Sequence, residues 1–216
     1  MAGPETRLLL LGAVAIFHPV NGYQIRRELM SWQVDQWANV QPGSIYHGLR
    51  SLAARGDLVQ HELDDGGRTV SVYEPTEQGL LALQEMMRVA ITELRPVDRL
   101  AFNTAVSLLP LLDRPQAREY LDLRRSRIES SLHEWWQVQQ VLPAGTMPPH
   151  VDAVKDLWTA TAEAERDWLA RMVRRIDDGE LSFRGESPGW TPAPDDPGWQ
   201  MQGERDRYLQ LLARRL

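Results

Sequence analysis

Hydrophobic and polar residues alternate with helical spacing at the start of the chain. An apolar run from Leu8 to Phe17 predicts a buried first helix, because ten residues are too few to span a bilayer. A second helix is expected from Gly22 to Met30, where Asn21 can cap the first turn. Ile25 and Leu29 lie four residues apart on one face of it, so this helix is predicted to be short and amphipathic.

A third helix, from Pro42 to about Arg55, follows a connector of irregular pattern at residues 31–41. Its apolar residues form a narrow stripe at helical spacing, made of Ile45, Leu49 and Leu52. Its polar residues lie off that stripe and include Ser44, Tyr46, His47 and Arg50. A helix that is buried along one side and polar at its start can present the polar side to a partner.

The pattern then changes from helical spacing to alternation. Gly56 ends the third helix, residues 58–63 alternate as a strand, and residues 68–74 form the return strand. Between the strands, Asp64-Asp65-Gly66-Gly67 has the composition of a hairpin turn. Three helices followed by a two-stranded ribbon are the elements of a winged helix-turn-helix domain, in their usual order.

A fourth helix completes this first part. Thr76 can cap it, the apolar pattern continues to Ile91, and Pro96 ends it. The winged helix-turn-helix domain is therefore predicted to span residues 1–95.

The second half has the pattern of long helices. One is predicted from Asp113 to about Val141 and another from Asp152 to Asp178, with a break from Pro143 to Pro149 that favours antiparallel pairing. We expect a helical dimerisation domain at 96–184, a linker containing proline and tryptophan at 185–203, and a C-terminal helix at 204–216. The predicted fold class is mainly α with a small two-stranded β-wing.

Composition limits the class of protein. The chain has 216 residues, of which 43% are hydrophobic and 25% charged, as in ordinary folded proteins. The absence of cysteine excludes disulfides and thiolate metal sites and is compatible with a reducing cytoplasm, where we expect the protein. The five histidines show no metal-ligand spacing, and no phosphate loop or nucleophile elbow occurs, so we expect no enzyme, cofactor or metal.

Net charge is the main obstacle to a nucleic-acid partner. The chain carries a formal charge of −6, and residues 1–90 contain seven basic and ten acidic side chains. Any DNA binding would therefore depend on where individual arginines lie, and it would be sensitive to salt.

Three spaced pieces of the first 95 residues resemble the PadR family of bacterial transcription regulators. They are Gly22-Tyr23-Gln24-Ile25, then Gly43-Ser44-Ile45-Tyr46 with Leu49, Leu52, Gly56 and Leu58, then Gly67-Arg68 with Tyr73, Thr76 and Gly79. The second half, including residues 100–103 and Glu165 through Trp168-Leu169, looks like the helical C-terminal domain of the longer members.

The resemblance implies a homodimer on a palindromic operator in double-stranded DNA, usually a repressor that a small effector releases. It also implies that the third helix enters the major groove and that the wing contacts the minor groove or the backbone. The sequence departs from the family at His47, where proline is usual. It departs again behind Arg68, where residues 69–71 are not basic.

The predicted DNA-binding residues on the third helix are Ser44, Tyr46, His47 and Arg50. A hydroxyl in the first turn can donate to phosphate oxygen, and the N-terminal N–H groups also attract anions. Arginine binds guanine edges most often. The alternatives are that Ser44 only caps the helix and that Tyr46 packs on the connector.

The remaining predicted DNA contacts are Tyr23, Arg26 and Arg27 on the second helix and Arg68 on the wing. Arg68 lies at the wing tip, where a lone arginine suits the minor groove or a phosphate. Asp64 and Asp65 beside it would repel phosphate. For Arg26 and Arg27 the alternative is a solvated helix face.

An effector site is expected between the two long helices. Antiparallel pairing would bring together Trp135, Trp136, Trp158 and Trp168, whose flat apolar rings suit an aromatic ligand. Arg124 and Glu165 stand where the helical period expects apolar residues, so they either bridge the helices or face a polar cavity. The alternative is that the four rings only fill the core.

A homodimer is also expected from the second long helix. It carries an apolar stripe that a lone chain would expose to water, formed by Val154, Leu157, Trp158, Leu169, Met172, Val173 and Ile176. The rival function is a winged-helix protein-protein adaptor without DNA binding, which the acidic charge would suit. A single basic stripe through Arg26, Arg50 and Arg68 would favour DNA.

Overall fold

The computed structural model describes residues 3–38, 40–95, 98–141, 148–189, 191, 193–196 and 198–214. It is mainly helical with one small sheet, which confirms the predicted fold class. The elements are α1 (Pro4–Phe17), β1 (Val20–Asn21), α2 (Gly22–Ser31), α3 (Val34–Trp37), α4 (Pro42–Ala54), β2 (Leu58–Asp64), β3 (Thr69–Pro75), α5 (Glu77–Thr92), α6 (Leu100–Ser107), α7 (Arg114–Val141), α8 (Pro149–Asp177) and α9 (Gly198–Ala213). A short 3-10 helix follows α6 at Leu109–Leu111.

The chain forms two compact units. The first unit consists of residues 1–90, 100–111 and 190–216, and the second of residues 91–99 and 112–189. Neither unit is continuous in sequence, because α6 and α9 belong with the first. The predicted boundaries at residues 95, 184 and 203 remain predictions, since compactness does not show which segments fold independently.

The core of the first unit is built around α1. Leu9, Leu10 and Leu11 are fully buried, as expected of a helix that is apolar on all sides. α1 packs against α4 and α6. At the α4 contact the side chain of Leu10 fills the space beside Gly48, so the two helices approach closely where α4 has no Cβ.

The sheet has three antiparallel strands in the order β1-β3-β2. The predicted hairpin is present, with Leu63 opposite Val70 and Asp64 opposite Thr69. The sequence analysis did not predict β1, which places Val20 opposite Tyr73. Two residues are too short for an alternation pattern, so pairing with β3 alone defines this strand.

Two local features of the predicted helices are confirmed and one is corrected. Asn21 caps α2 in a capping box with Gln24, and Thr76 Oγ1 accepts the N–H of Gly79 at 2.9 Å in the first turn of α5. The connector at 31–41 was predicted to be irregular, but it contains the short helix α3. Val34 is fully buried there and accounts for this turn of helix. Pro96, the predicted end of the fourth helix, lies outside the described residues.

The second unit is dominated by α7 and α8, which run antiparallel as predicted. Nε of Arg118 donates to Oδ1 of Asp177 at 2.7 Å near one end, and the rings of Trp135 and Trp158 meet near the other. Leu121, Ile128, Leu169 and Ile176 are among the residues buried in this unit. The predicted break runs from Pro143 to Pro149, of which residues 143–147 lie outside the described residues. α8 begins at Pro149, earlier than the predicted start at Asp152, because Pro149 suits the first turn of a helix. No helix in the described ranges is both long and apolar enough to cross a membrane.

The last helix, α9, begins at Gly198, earlier than the predicted start at residue 204. Its Tyr208 is buried in a cluster with Leu63 and Val72 of the sheet. The predicted linker at 185–203 therefore contains the first turns of this helix. Trp190, Pro192 and Pro197 of that linker lie outside the described residues.

Candidate nucleic-acid interface

The exposed face of α4 carries four of the predicted DNA-binding residues. The helix begins at Pro42, whose fixed φ suits the first turn, and Oγ of Ser44 donates to the carbonyl of Gln41 at 2.7 Å. Its apolar stripe is buried as predicted: Ile45, Leu49 and Leu52. The opposite face exposes Ser44, Tyr46, His47 and Arg50. These hydroxyl, imidazole and guanidinium groups can all bind phosphate oxygens or base edges.

Tyr46 both packs and faces solvent. A Cβ atom on Gly22 would lie 2.9 Å from two carbons of the Tyr46 ring, so the ring covers the start of α2. The residue is nonetheless 36% exposed. The contact is with α2 and not with the connector that the alternative named, and it orients the ring without removing it from the surface.

Burial of one face of α2 determines which side chains it presents. Ile25 and Leu29 are fully buried, whereas Tyr23 is 61% exposed and Arg26 is exposed. Arg27 is partly exposed; its Nε lies 3.6 Å from Oε1 of Glu28, and its Nη1 donates to Oε1 of Gln200 at 3.5 Å. Tyr23 and Arg26 are thus free to meet a partner, whereas Arg27 has a partner within its own helix.

The wing tip is a tight turn stabilised by its own polar groups. Gly66 and Gly67 have φ of 68° and 85°, in the left-handed region that glycine adopts without strain. Oδ1 of Asp64 accepts the N–H of Gly67 at 2.7 Å, and the N–H of Asp65 donates to the carbonyl of Arg68 at 2.9 Å. The Arg68 side chain is exposed at the end of this turn.

Three carboxylates of the first unit contact basic side chains within the fold: Asp57 with Arg7, Glu74 with His61, and Asp65 with Arg207. Asp57 is also buried, at 1% exposure. Arg7 is already one of the seven basic residues of the first 90 positions, so of these three contacts only that between Asp65 and Arg207 offsets a carboxylate with a cation from outside that segment.

A buried ion pair joins the long helices of the second unit. Nε of Arg124 donates to Oε1 of Glu165 at 2.5 Å, and Nη2 of Arg99 lies 2.7 Å from Oε2 of the same carboxylate. Nη1 of Arg124 also donates to the carbonyls of Ile91 and Glu93. Burial lowers the pKa of Arg124, and the charge of Glu165 opposes that shift. One carboxylate thus holds two guanidinium groups.

Beside this pair lies a cavity of about 330 Å³ with mainly apolar walls. Four of the six residues predicted for an effector site line it: Arg124, Glu165, Trp135 and Trp158. The rings of Trp135 and Trp158 are 6.2 Å apart and tilted edge to face. Trp136 and Trp168 belong to the same two helices but do not line the cavity. Trp136 is instead 63% exposed.

The sequence analysis did not identify three residues that contact the wing or the buried ion pair. Arg99 lies on the segment before α6, where nothing in the local pattern connects it to Glu165. Arg207 and Tyr208 lie on α9, far along the chain from the wing that they contact. The apolar spacing of Tyr208 with Leu211 and Leu212 signalled a packed face on α9, but it could not identify the surface beneath.

Comparison with known protein families identifies a domain in the first part of the chain. Residues 10–85 match the Transcriptional regulator PadR-like family, so this segment is a PadR-like domain and the resemblance is confirmed over these residues. No curated protein sequence matches the chain at a significant level.

Two solved structures are similar over most of their length. One is Bacillus subtilis PadR in complex with operator DNA, with 16% identity and a TM-score of 0.34 over 80% of this chain and 99% of that one. The other is the PadR-like transcriptional regulator BC1756 from Bacillus cereus, with 16% identity and a TM-score of 0.32 over 81% and 97%. Because these TM-scores are low, the family assignment of residues 10–85 rests on the sequence match.

Proposed function

We propose that the chain is a sequence-specific DNA-binding transcription regulator that acts as a homodimer on a palindromic operator. The observation that carries this proposal is the exposed face of α4, with Tyr46, His47 and Arg50, inside a domain that matches a family of transcription regulators. In this proposal α4 enters the major groove, and Arg68 of the wing reaches the minor groove or a phosphate.

The supporting contacts come from α2. Tyr23 and Arg26 are exposed; Tyr23 lies between the two capping-box residues, Asn21 and Gln24, and Arg26 follows them. We propose that they contact the phosphate backbone of DNA, together with Ser44 at the start of α4. Arg27 is assigned a weaker contact, because Glu28 already lies beside its guanidinium.

Titration of labelled duplex DNA from upstream of the protein's own gene tests this function. Arg50→Ala and Arg68→Ala should each weaken binding by about 1–3 kcal/mol, and the affinity of the parent should fall steeply as salt rises. Arg171→Ala is the matched control, because it removes another exposed arginine, from α8 in the second unit. If Arg50→Ala and Arg68→Ala bind like Arg171→Ala, the assignment is wrong. A parent that binds no DNA would favour the protein-protein adaptor.

The homodimer is proposed from α8. The predicted apolar stripe is only partly uncovered, because Leu169, Met172, Val173 and Ile176 are buried within the chain. The first half of α8 exposes Val151, Val154, Leu157 and Trp158, the last two at 64% and 43%. Large apolar side chains grouped on one helix face of a soluble protein mark an interface. A second copy of the same chain suits this face, because a palindromic operator requires two copies related by a twofold axis.

We further propose repression that is released by a small aromatic effector bound beside Glu165. A specific observation favours this: the cavity has apolar walls with a few convergent polar groups, as ligand sites do. An edge-to-face pair of tryptophans forms part of the wall and offers an aromatic ligand a surface. The Arg124–Glu165 pair bridges α7 and α8, so a ligand there could alter how these helices meet.

A further inference from the structure

α9 covers one face of the wing. Tyr208 is 4% exposed and packs with Leu63 of β2 and Val72 of β3. Leu211 and Leu212, one turn further along α9, pack against the same cluster. β1 pairs with β3 only at Val72 and Tyr73, so the hairpin beyond them is two-stranded. Two strands alone are only marginally stable in water, and a helix that covers their apolar face holds them in place. The wing is therefore supported by a helix that follows it by more than a hundred residues.

The same helix is also attached to the start of α2. Nδ2 of Asn21 donates to the hydroxyl of Tyr208 at 2.8 Å, and the side chain of Gln24 hydrogen-bonds to Glu204. Asn21 and Gln24 form the capping box of α2. α9 thus contacts both elements that flank α4 in the proposed DNA surface.

α9 also changes the charge of the wing tip. Arg207 forms an ion pair with Asp65, and Arg207 and Arg214 line one depression with the turn of the wing. Without α9, the turn has two carboxylates, Asp64 and Asp65, and one cation, Arg68. With α9, two guanidinium groups are added beside these carboxylates.

The Arg207–Asp65 pair matters for binding more than for stability. Arg207 is 58% exposed, and exposed ion pairs add little to the stability of a fold. Charge at a DNA-facing tip acts differently, because each neutralised phosphate releases condensed counterions and strengthens binding. A cation that cancels Asp65 would therefore have its main effect on the approach of phosphate.

We propose that α9 is part of the DNA-contacting surface, holding the wing in place and supplying the cations that let its acidic tip approach the phosphate backbone. The partner is duplex DNA, contacted through its phosphates. This inference rests on the proposed function, because it assigns a role to α9 in the same interface.

The first test measures the support of the wing without DNA. In the full chain, Tyr208→Ala should speed hydrogen exchange of the amides in β2 and β3 by about tenfold or more, because their covering side chain is lost. Leu209→Ala is the matched control, since Leu209 is the next residue on α9 and is 45% exposed. Unchanged exchange in Tyr208→Ala would show that α9 does not hold the wing and would overturn the proposal.

The second test measures charge. Arg207→Asp should weaken binding of the upstream duplex by about tenfold and reduce its dependence on salt, and adding Asp65→Arg to the same chain should restore both. Arg205→Asp is the control, because it makes the same charge change two residues away on α9. If Arg207→Asp binds the upstream duplex as tightly as the parent, or more tightly, the proposal is contradicted.

The two tests separate this proposal from the one on which it rests. A parent chain that binds no DNA overturns the proposed function and the phosphate contact together. A parent that binds DNA, with Arg50→Ala weakened and Arg207→Asp unchanged, overturns only the role of α9.

Discussion

A Cβ atom on Gly79 of α5 would overlap the carbonyl oxygen of Asp57, at the start of the wing. The same carbonyl accepts hydrogen bonds from the N–H and the hydroxyl of Thr76. The first turn of α5 is thus pressed against the backbone that connects α4 to β2. This contact explains why glycine belongs to the third of the spaced pieces in the sequence.

Gly79→Ala is expected to destabilise the fold. The added methyl group meets backbone, which cannot rotate away as a side chain can, so the cost should reach at least about 1–3 kcal/mol in the free energy of unfolding. Urea titration followed by circular dichroism measures it. Gly43→Ala, on α4, is the control, because a Cβ there meets nothing within 4 Å. Equal stability of the two variants would disprove the close contact.

Removing Glu165 should cost more than removing Arg124. Glu165→Leu removes the carboxylate from two arginines, one of them 2% exposed, and should cost about 3–5 kcal/mol of unfolding free energy. Arg124→Leu leaves Glu165 paired with Arg99 at 2.7 Å, so its cost should be smaller. Chemical unfolding of both variants compares them. The opposite order would mean that Arg99 does not support the carboxylate.

Leu157→Glu should weaken the homodimer. Leu157 is 64% exposed in the chain alone, and a carboxylate at the centre of an apolar interface is costly to desolvate. Sedimentation velocity over a range of protein concentrations measures the change. Leu81→Glu is a matched control on α5, at 63% exposure in the first unit. If Leu81→Glu disrupts the dimer and Leu157→Glu does not, the interface lies on the first unit.

An aromatic probe such as anilinonaphthalene sulfonate should bind the cavity beside Glu165. We expect saturable quenching of tryptophan emission and, over the same concentration range, weaker binding of the upstream DNA. Trp158→Phe should reduce both effects. Trp199→Phe, which alters an equally exposed tryptophan at 43%, should leave them intact. Quenching that persists in Trp158→Phe, or that does not alter DNA affinity, would place the binding site elsewhere.

Features with local causes could be predicted from the sequence. The cap at Asn21, the cap at Thr76 and the turn at Gly66-Gly67 each depend on residues no more than three positions apart. The same is true of the exposed face of α4, because helical spacing alone separates Arg50 from the buried stripe. These features include the helix caps, the turn of the wing and the exposed positions of the predicted DNA-binding residues on α4.

Features with distant causes could not be predicted. β1 exists because Val20 lies opposite Tyr73, and the two residues of the strand carry no pattern of their own. Glu165 could be identified as a buried charge from its position on α8, but its second partner, Arg99, lies on another segment. The position of α9 depends on Leu63 and Val72, which no spacing within α9 can indicate.

The hydrogen bond between Asn21 and Tyr208 joins residues 187 positions apart, and this separation affects how the protein is made. At a translation rate of about 5–20 residues per second, the ribosome synthesises Tyr208 roughly 10–40 s after Asn21. The second unit is translated in that interval, while Leu63 and Val72 of the nascent wing have no α9 to cover them. Slower translation of residues 112–189 lengthens this exposure, and with it the time in which an apolar strand can associate with another chain.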